Sequence, residues 1–265
     1  IYKMNYRTMV DFHKDNNADL TIGALRVNTE EAQQFGVMQI DTDNRIVGFE
    51  EKPSEPKTIP GDDGYCLASM GIYVFTARFL FEQLCQDATR ARSTHDFGRD
   101  LIPSIIDDHR VFAFPFRDEN RKGDAYWRDV GTLDAFFEAN MDLCAENPLF
   151  DLYNNYWPIR TFNWNQPPAR FFGNDDSTTY RGAAIDSIVS AGSIIGGGTV
   201  VKSILSPGTS IQKEAFVKES ILFPNVTIGP GAKVQRAIIE KGLHIPAGFE
   251  IGFDLERDRQ IFHVT

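Results

Sequence analysis

Few side chains in this chain could do phosphate or acid–base chemistry, and they are scattered. Lys52 follows Glu51 at the end of an apolar run. A flexible ammonium suits a phosphate approached end-on, although taken alone Lys52 reads as a solvated hairpin lysine and Glu51 as half of a surface salt bridge. Asp129 offers the hard oxygen that Mg²⁺ prefers, yet it adjoins Arg128 and could simply pair with it. Ser69 stands just before a β-rich run and reads locally as a strand-edge hydroxyl. Gly36 reads locally as a turn glycine. His95-Asp96 suits helix capping and packing, and His244, alone in a repeat, suits an outward, solvated position. Gly196-Gly197-Gly198 has the composition of a phosphate-cradling loop. No helical pattern and no GK[ST] follow it, so it reads as a corner.

The elements that must position these residues change character along the chain. Leu20 to Val27 reads as a strand. Val37 to Ile40 and Ile46 to Glu50 flank the turn cluster Asp41 to Asn44 as a hairpin. Gly71 to Phe75 is a buried β run. Ala77 to Cys85 has helical spacing, with Phe79, Leu80, Phe81 and Leu84 as its apolar stripe. Thr94 or Asp96 caps a helix through about Asp108. Val111 to Phe116 and Trp127 to Val130 read as strands, and Thr132 caps a helix through Leu143. Strands alternating with helices imply a mainly parallel sheet. Residues 145–182, rich in Pro, Asn and aromatics (Trp157, Trp164, Pro167, Pro168), read as a connector that packs onto its neighbours.

From about Ala183 the chain repeats. Ile188, Leu205, Leu222 and Ile239 form one aliphatic column. Ile194, Ile211, Ile228 and Ile245 form a second, and Val200, Val217, Val234 and Ile251 a third. Every step down a column is 17 residues, which predicts three-sided coils with inward aliphatic residues and Gly, Asn or Pro corners. This is the pattern of a left-handed parallel β-helix of about four coils. Only His244 among the histidines falls within it. An ordinary β-sandwich does not hold such columns.

Composition narrows the partners. The 265 residues are 42% hydrophobic and 24% charged, with net charge −10. That is a folded chain whose charge has the wrong sign for nucleic acid or an anionic membrane. No apolar run approaches the ~20 residues of a membrane-spanning helix. Cys66, Cys85 and Cys144 are far apart and form no CxxC, so a reducing cytoplasm is the natural location.

Several strings occur in a telling order: Ile1-Tyr-Lys-Met-Asn-Tyr6, Phe35-Gly-Val-Met38, Glu51-Lys-Pro53, Ala68-Ser-Met-Gly-Ile-Tyr-Val-Phe75, His95-Asp-Phe-Gly98 with Asp100-Leu-Ile-Pro103, Tyr126-Trp-Arg-Asp-Val-Gly-Thr132 and Trp157-Pro-Ile-Arg-Thr161. In this order, followed by the repeat, the chain resembles the glucose-1-phosphate adenylyltransferases along its whole length. The resemblance implies an α/β plus all-β protein. Residues 1–147 would be the C-terminal part of a Rossmann-like nucleotidyltransferase domain, 148–182 an interdomain connector, and 183–265 the left-handed β-helix. It implies that ATP and α-glucose 1-phosphate give ADP-glucose and pyrophosphate with Mg²⁺, by in-line attack and without a covalent enzyme intermediate.

The resemblance also implies roles. Lys52 would hold the phosphate of glucose 1-phosphate, Glu51 would accept hydrogen bonds from sugar hydroxyls, and Ser69 would contact the sugar. Gly36 would let the sugar approach the backbone, and Asp129 would be a metal-binding aspartate. A Gly-rich phosphate loop, an adenine-binding segment and a first metal aspartate belong to the family but not to these residues. The expectation is that this chain is a fragment that does not catalyse alone. A homotetramer and allosteric small-molecule effectors are further implications, with Lys202, Lys213, Lys218, Lys233, Arg236 and Lys241 as positive charge on the β-helix. Two alternatives stand beside this reading. One is a non-catalytic regulatory subunit. The other is a different sugar-1-phosphate nucleotidyltransferase, such as the N-acetylglucosamine 1-phosphate enzyme, which acetylates from longer coils.

Overall fold

Five apolar-rich strands build the first sheet, seen in a computed structural model that describes residues 1–117, 125–173 and 181–265. Its contacts divide into two compact units, Lys3–Ala125 and Tyr126–Thr265, the latter joined by Ile1–Tyr2. In the first unit α1 (Tyr6–Asp15) is capped by Asn5 and leads into β1 (Leu20–Asn28). A single turn α2 (Thr29–Ala32), the hairpin β2 (Gly36–Ile40) and β3 (Ile46–Glu51), and the long β4 (Tyr65–Phe75) follow. Then come α3 (Ala77–Ala88), a π-helical turn Phe97–Leu101, α4 (Ile102–Ile105) and β5 (Val111–Pro115).

The sheet order is β3-β2-β4-β1-β5. The expectation of a mainly parallel sheet does not hold, because only β1 and β5 run parallel. A parallel pair needs a long crossover, and β2 and β3 are joined by a tight turn that Asp41 closes on the amides of Asp43 and Arg45. The connection from β1 to β2 through α2 passes β4, that from β3 to β4 passes β2, and that from β4 through α3 and α4 to β5 passes β1, which leaves β5 parallel to β1. Leu20, Ile22, Met38, Ile46, Ile102, Ile105 and Val111 close the core beneath the sheet with Phe79 of α3.

Helix α3 corrects a second expectation. Its buried face carries Phe79, Gln83 and Asp87, while Phe81 and Leu84 are exposed. The inward line steps by four residues from Phe79, so the helix is rotated away from the stripe that its apolar residues suggest. The expected strand Trp127 to Val130 reduces to one bridge between Tyr2 and Trp127.

The second unit holds α5 (Leu133–Asp142), capped by Thr132, a short strand β6 (Arg170–Phe172), a parallel β-solenoid and the closing helix α6 (Leu255–Ile261). Three sheets form the solenoid sides. Val200, Val217, Val234 and Ile251 stack in register, as do Leu205, Leu222 and Ile239, and Ile211, Ile228 and Ile245. These side chains are almost entirely buried in one continuous core, each worth roughly 1.5–3 kcal/mol relative to exposure.

The first coil departs from the 17-residue step. Ala184 lies beside Val200, Val189 beside Leu205 and Ile195 beside Ile211, each pair 16 residues apart. Val189 and Ile195 therefore occupy the columns expected for Ile188 and Ile194, and Ile194 is exposed. Aliphatic residues stand at both members of each neighbouring pair, so residue type alone does not choose between them. The Gly196–Gly198 corner shows why glycine is needed there. A Cβ on Gly198 would lie 2.6 Å from Ile211 Cγ2 and 2.7 Å from the Gln212 carbonyl, so the triplet serves as a corner.

One corner also carries a polar ladder. Asp186, Lys202, Glu219 and Arg236 adopt left-handed backbone at successive coils. The next residue in the first three is serine. The amides of Ser203, Ser220 and Ala237 donate to the hydroxyls of Ser187, Ser203 and Ser220 respectively, and each hydroxyl donates to the carbonyl two residues earlier. Corner backbone that would otherwise be buried without partners is thereby satisfied.

The stretch read as a connector is mixed. Residues 174–180 lie outside the described residues. Its β6 strand pairs with the first coil, extending the solenoid upstream of Ala183, and the Pro167 carbonyl accepts from Gly192. Tyr153, Tyr156 and Phe162 are exposed, which corrects the expectation that its aromatics pack down. At the other end α6 sits on the last coil, where Asp258 accepts from the Gly252 amide at 2.7 Å and Arg257 covers Phe249.

Candidate active site

The end of β3 delivers Glu51 and Lys52. Glu51 pairs with Gly36 of β2, and the Lys52 amide donates to Phe35 O at 3.0 Å. Lys52 has φ +50°, an uncommon conformation for a residue with a side chain. Such strain persists where surrounding structure holds it, commonly at functional sites. Lys52 is solvent-exposed and available to an anion.

The Glu51 carboxylate rests over two glycines. A Cβ on Gly36 would meet the Phe49 ring at 2.4 Å and Glu51 Oε2 at 2.9 Å, and one on Gly98 would meet Glu51 Oε2 at 2.4 Å. Burial pushes the Glu51 carboxyl above its usual range, and the Asp96 carboxylate adds to the rise, while Lys52 and Arg99 oppose it. Asp96 in turn caps the π-helical turn, its Oδ1 accepting from Gly98 and Arg99 at 2.8 Å each.

A β-bulge supplies the neighbouring wall. Between the pairs Ile22–Tyr73 and Ala24–Ser69 the register of β1 and β4 slips, with Gly71 at φ +67°. A bulge shortens the strand locally and re-aims its side chains. Here Ser69 Oγ accepts from the Gly71 amide at 3.2 Å. Burial raises the Tyr73 phenol above its usual range, and the charges of Glu51 and Asp96 push the same way. Tyr73 also stacks on Phe97, with centroids 5.6 Å apart.

Gly36, Glu51, Lys52 and Ser69 thus fall in one unit, around the ends of β2, β3 and the bulge of β4. The sequence reading missed Tyr73, Asp96, Gly98 and Arg99 as neighbours of Glu51. Their signal was present in the strings around Ser69 and His95, but the reading assigned His95-Asp96 to capping and packing.

Asp129 lies in the other unit, on the exposed segment between the Tyr2–Trp127 bridge and α5. The expected alternative, a pair with Arg128, is not what forms. Arg128 bonds Asp142, which also accepts from the Tyr126 phenol, and Asp129 Oδ1 accepts from the Gly131 amide at 3.2 Å. Mg²⁺ is content with one or two carboxylates plus phosphate oxygens, and Asp129 fits that limited donor role. Among the described residues no three His, Cys, Asp or Glu side chains converge as an all-protein metal cage.

On the solenoid, His244 is exposed, as expected for a solvated position. Lys213, Lys233 and Arg236 approach Glu214, Glu250 and Glu219 of their own solenoid. Among the described residues no helix is long and apolar enough to cross a membrane.

Residues 1–146 match the family described as Nucleotidyl transferase. The chain belongs to that family. Residues 167–265 match a second description, the GlmU-like C-terminal hexapeptide, consistent with the parallel solenoid. A glucose-1-phosphate adenylyltransferase of Rhodopirellula baltica is 56% identical over 98% of this chain and 58% of its own length. Glucose-1-phosphate adenylyltransferase 2 of Alkalilimnicola ehrlichii is 47% identical over all of this chain and 62% of its own. One from Shewanella frigidimarina is 47% identical over 98% of this chain and 61% of its own. The chain spans about three-fifths of the length of these curated relatives.

Proposed function

We propose that the protein makes ADP-glucose and pyrophosphate from ATP and α-glucose 1-phosphate, with residues 1–147 contributing the sugar-phosphate half of the nucleotidyltransferase domain and 183–265 a left-handed β-helix. The observation that carries this reading is the Glu51–Lys52 corner, with a carboxylate seated over Gly36 and Gly98 beside an exposed lysine in strained backbone. The strong similarity to proteins bearing the adenylyltransferase name supports it.

In this reading Lys52 binds the phosphate of glucose 1-phosphate and offsets its charge. Glu51 accepts from sugar hydroxyls. Its carboxylate has room because the two glycines lack side chains, and its desolvated setting strengthens each hydrogen bond it makes. Ser69, held by the Gly71 amide, orients the sugar at the bulge, and Gly36 lets Phe49 and Glu51 close over the backbone beside it. Asp129 would hold Mg²⁺, which neutralises charge on the transferring phosphoryl group when bound. No side chain is needed as a covalent nucleophile, so catalysis is positioning and electrostatic stabilisation.

Self-association into a homotetramer, regulation by small anionic effectors and a cytoplasmic location complete the proposal. The solenoid's stacked edges support the first, and the lysines of the solenoid support the second. The test is the initial rate of ADP-glucose formation from ATP, glucose 1-phosphate and Mg²⁺ by the full-length protein. Asp129→Asn is expected to lower kcat at least a hundredfold. An unchanged rate in that variant would remove Asp129 from the mechanism, and no ADP-glucose from the parent would remove the activity.

A further inference from the structure

Asp87 plays no part in the site described above, yet its carboxylate is almost wholly buried at the end of α3. A negative charge in the last turn of a helix faces the negative end of the helix dipole, so α3 gains nothing from it. Both oxygens are instead spent on the following turn. Oδ1 accepts from Ser93 Oγ and Oδ2 from His95 Nδ1, each at 2.7 Å, and Ser93 Oγ accepts from the His95 amide at 3.0 Å. His95 has φ +62°, an unfavourable backbone for a residue with a side chain. These three hydrogen bonds hold it there.

Apolar packing does not do the same job. A cavity of about 250 Å³, lined by Leu84, Asp87, Ala88, His95, Phe97 and Leu101, lies between α3 and the turn. On its far side the turn is held by Asp100, whose Oδ2 accepts from the amides of Thr94 and Asp96. The turn is therefore clamped between two carboxylates. Immediately beyond it stand Asp96, Phe97, Gly98 and Arg99, which cap the π-helical turn, stack on Tyr73, seat Glu51 and set its charge environment.

We propose that Asp87 is a positioning residue for the sugar-phosphate subsite, acting through Ser93 and His95 on the turn that seats Glu51. The proposal rests on the reading of Glu51 and Lys52 as that subsite. It predicts a graded effect. Asparagine keeps one acceptor oxygen and offers an uncharged donor in place of the other, so it holds Ser93 and His95 more weakly than the carboxylate, whereas alanine holds neither.

The test uses Asp87→Asn and Asp87→Ala in the full-length protein, with two readouts. The KM for glucose 1-phosphate should rise about tenfold or more in Asp87→Ala and by less in Asp87→Asn. The KM for ATP should stay within twofold in both. Amide hydrogen exchange over residues 94–99 should speed up in the same order, with β1 unaffected. Should Asp87→Ala fail to fold, Asp87→Asn carries the test. Two results would overturn the proposal: a sugar-phosphate KM within twofold of the parent, or equal changes in both KM values with unaltered exchange at 94–99. If the parent does not turn over glucose 1-phosphate, the functional reading falls, and exchange alone decides whether Asp87 holds the turn.

Discussion

Gly98→Ala separates the geometry of the site from the stability of the fold. An alanine Cβ would sit 2.4 Å from Glu51 Oε2 and 2.9 Å from its Cδ, where ordinary contact begins near 3.4 Å. The Glu51 carboxylate must therefore retreat by about 1 Å. It is the far end of a flexible side chain, so the retreat costs the fold little. Gly98 has no positive φ and lies in a helical turn, where alanine is preferred to glycine by roughly 1 kcal/mol. Stability should then change by less than about 1 kcal/mol in either direction. The chemistry should suffer far more, since a 1 Å misplacement can cost on the order of a hundredfold. The assay is kcat/KM for glucose 1-phosphate alongside the unfolding midpoint in urea. The expected result is a fall of about ten- to a hundredfold at an almost unchanged midpoint. Activity within twofold of the parent would refute the claim that Glu51 must sit over Gly98. A collapse of the midpoint would refute the claim that the carboxylate yields cheaply.

Other expectations follow from the same structure. Lys52→Ala should raise the KM for glucose 1-phosphate about a hundredfold, at ~1.4 kcal/mol per tenfold, with the KM for ATP nearly constant. Lys52→Arg should restore little, because a planar guanidinium does not replace an end-on ammonium. His13 is buried, with Nδ1 and Nε2 at 2.9 and 3.2 Å from the Thr21 and Thr76 hydroxyls, and burial holds its pKa below the usual value of 6.5. Because the folded state disfavours the charged ring, stability is full above that value and declines as pH falls from it toward the folded pKa. His13→Asn should flatten urea-determined stability across pH 7.5 to 5, and an equal acid slope in both proteins would discard His13 as its source. Ser203→Ala should destabilise the solenoid by about 1–3 kcal/mol, by stripping the Ser220 amide of its acceptor. Ser187→Ala should cost less, since Ser187 is only half-buried where Ser203 is fully buried, and chemical denaturation compares the two.

The solenoid was legible because twelve aliphatic positions repeat, and its inner columns from Val200 onward stand where the spacing places them. The first coil was not, because Ile188-Val189 and Ile194-Ile195 offer two candidates each and only backbone register selects the inward one. The hairpin was legible from its turn residues, but the polarity of the whole sheet was not. Strand direction depends on which connections skip a neighbouring strand, and those from β1 to β2, from β3 to β4 and from β4 to β5 all do. Of the site, Lys52, Glu51, Ser69 and Gly36 were marked by family resemblance. Tyr73 and Gly98 stand in strings that carry the same resemblance, but their approach to Glu51 was not legible, because it depends on a bulge at Gly71 and a turn that Asp87 and Asp100 bond. Periodicity carries no trace of either. Phe81 and Leu84 show the converse error, since apolar type alone does not fix the rotation of a helix.

The proposed activity is tested most directly by competition between two sugar phosphates. The full-length protein would be given ATP, Mg²⁺ and equal concentrations of glucose 1-phosphate and N-acetylglucosamine 1-phosphate, and the nucleotide sugars separated and quantified at early time. ADP-glucose should dominate, and Lys52→Ala should abolish that product. Preferential formation of the N-acetylglucosamine product, or ADP-glucose formation undiminished in Lys52→Ala, would contradict the account.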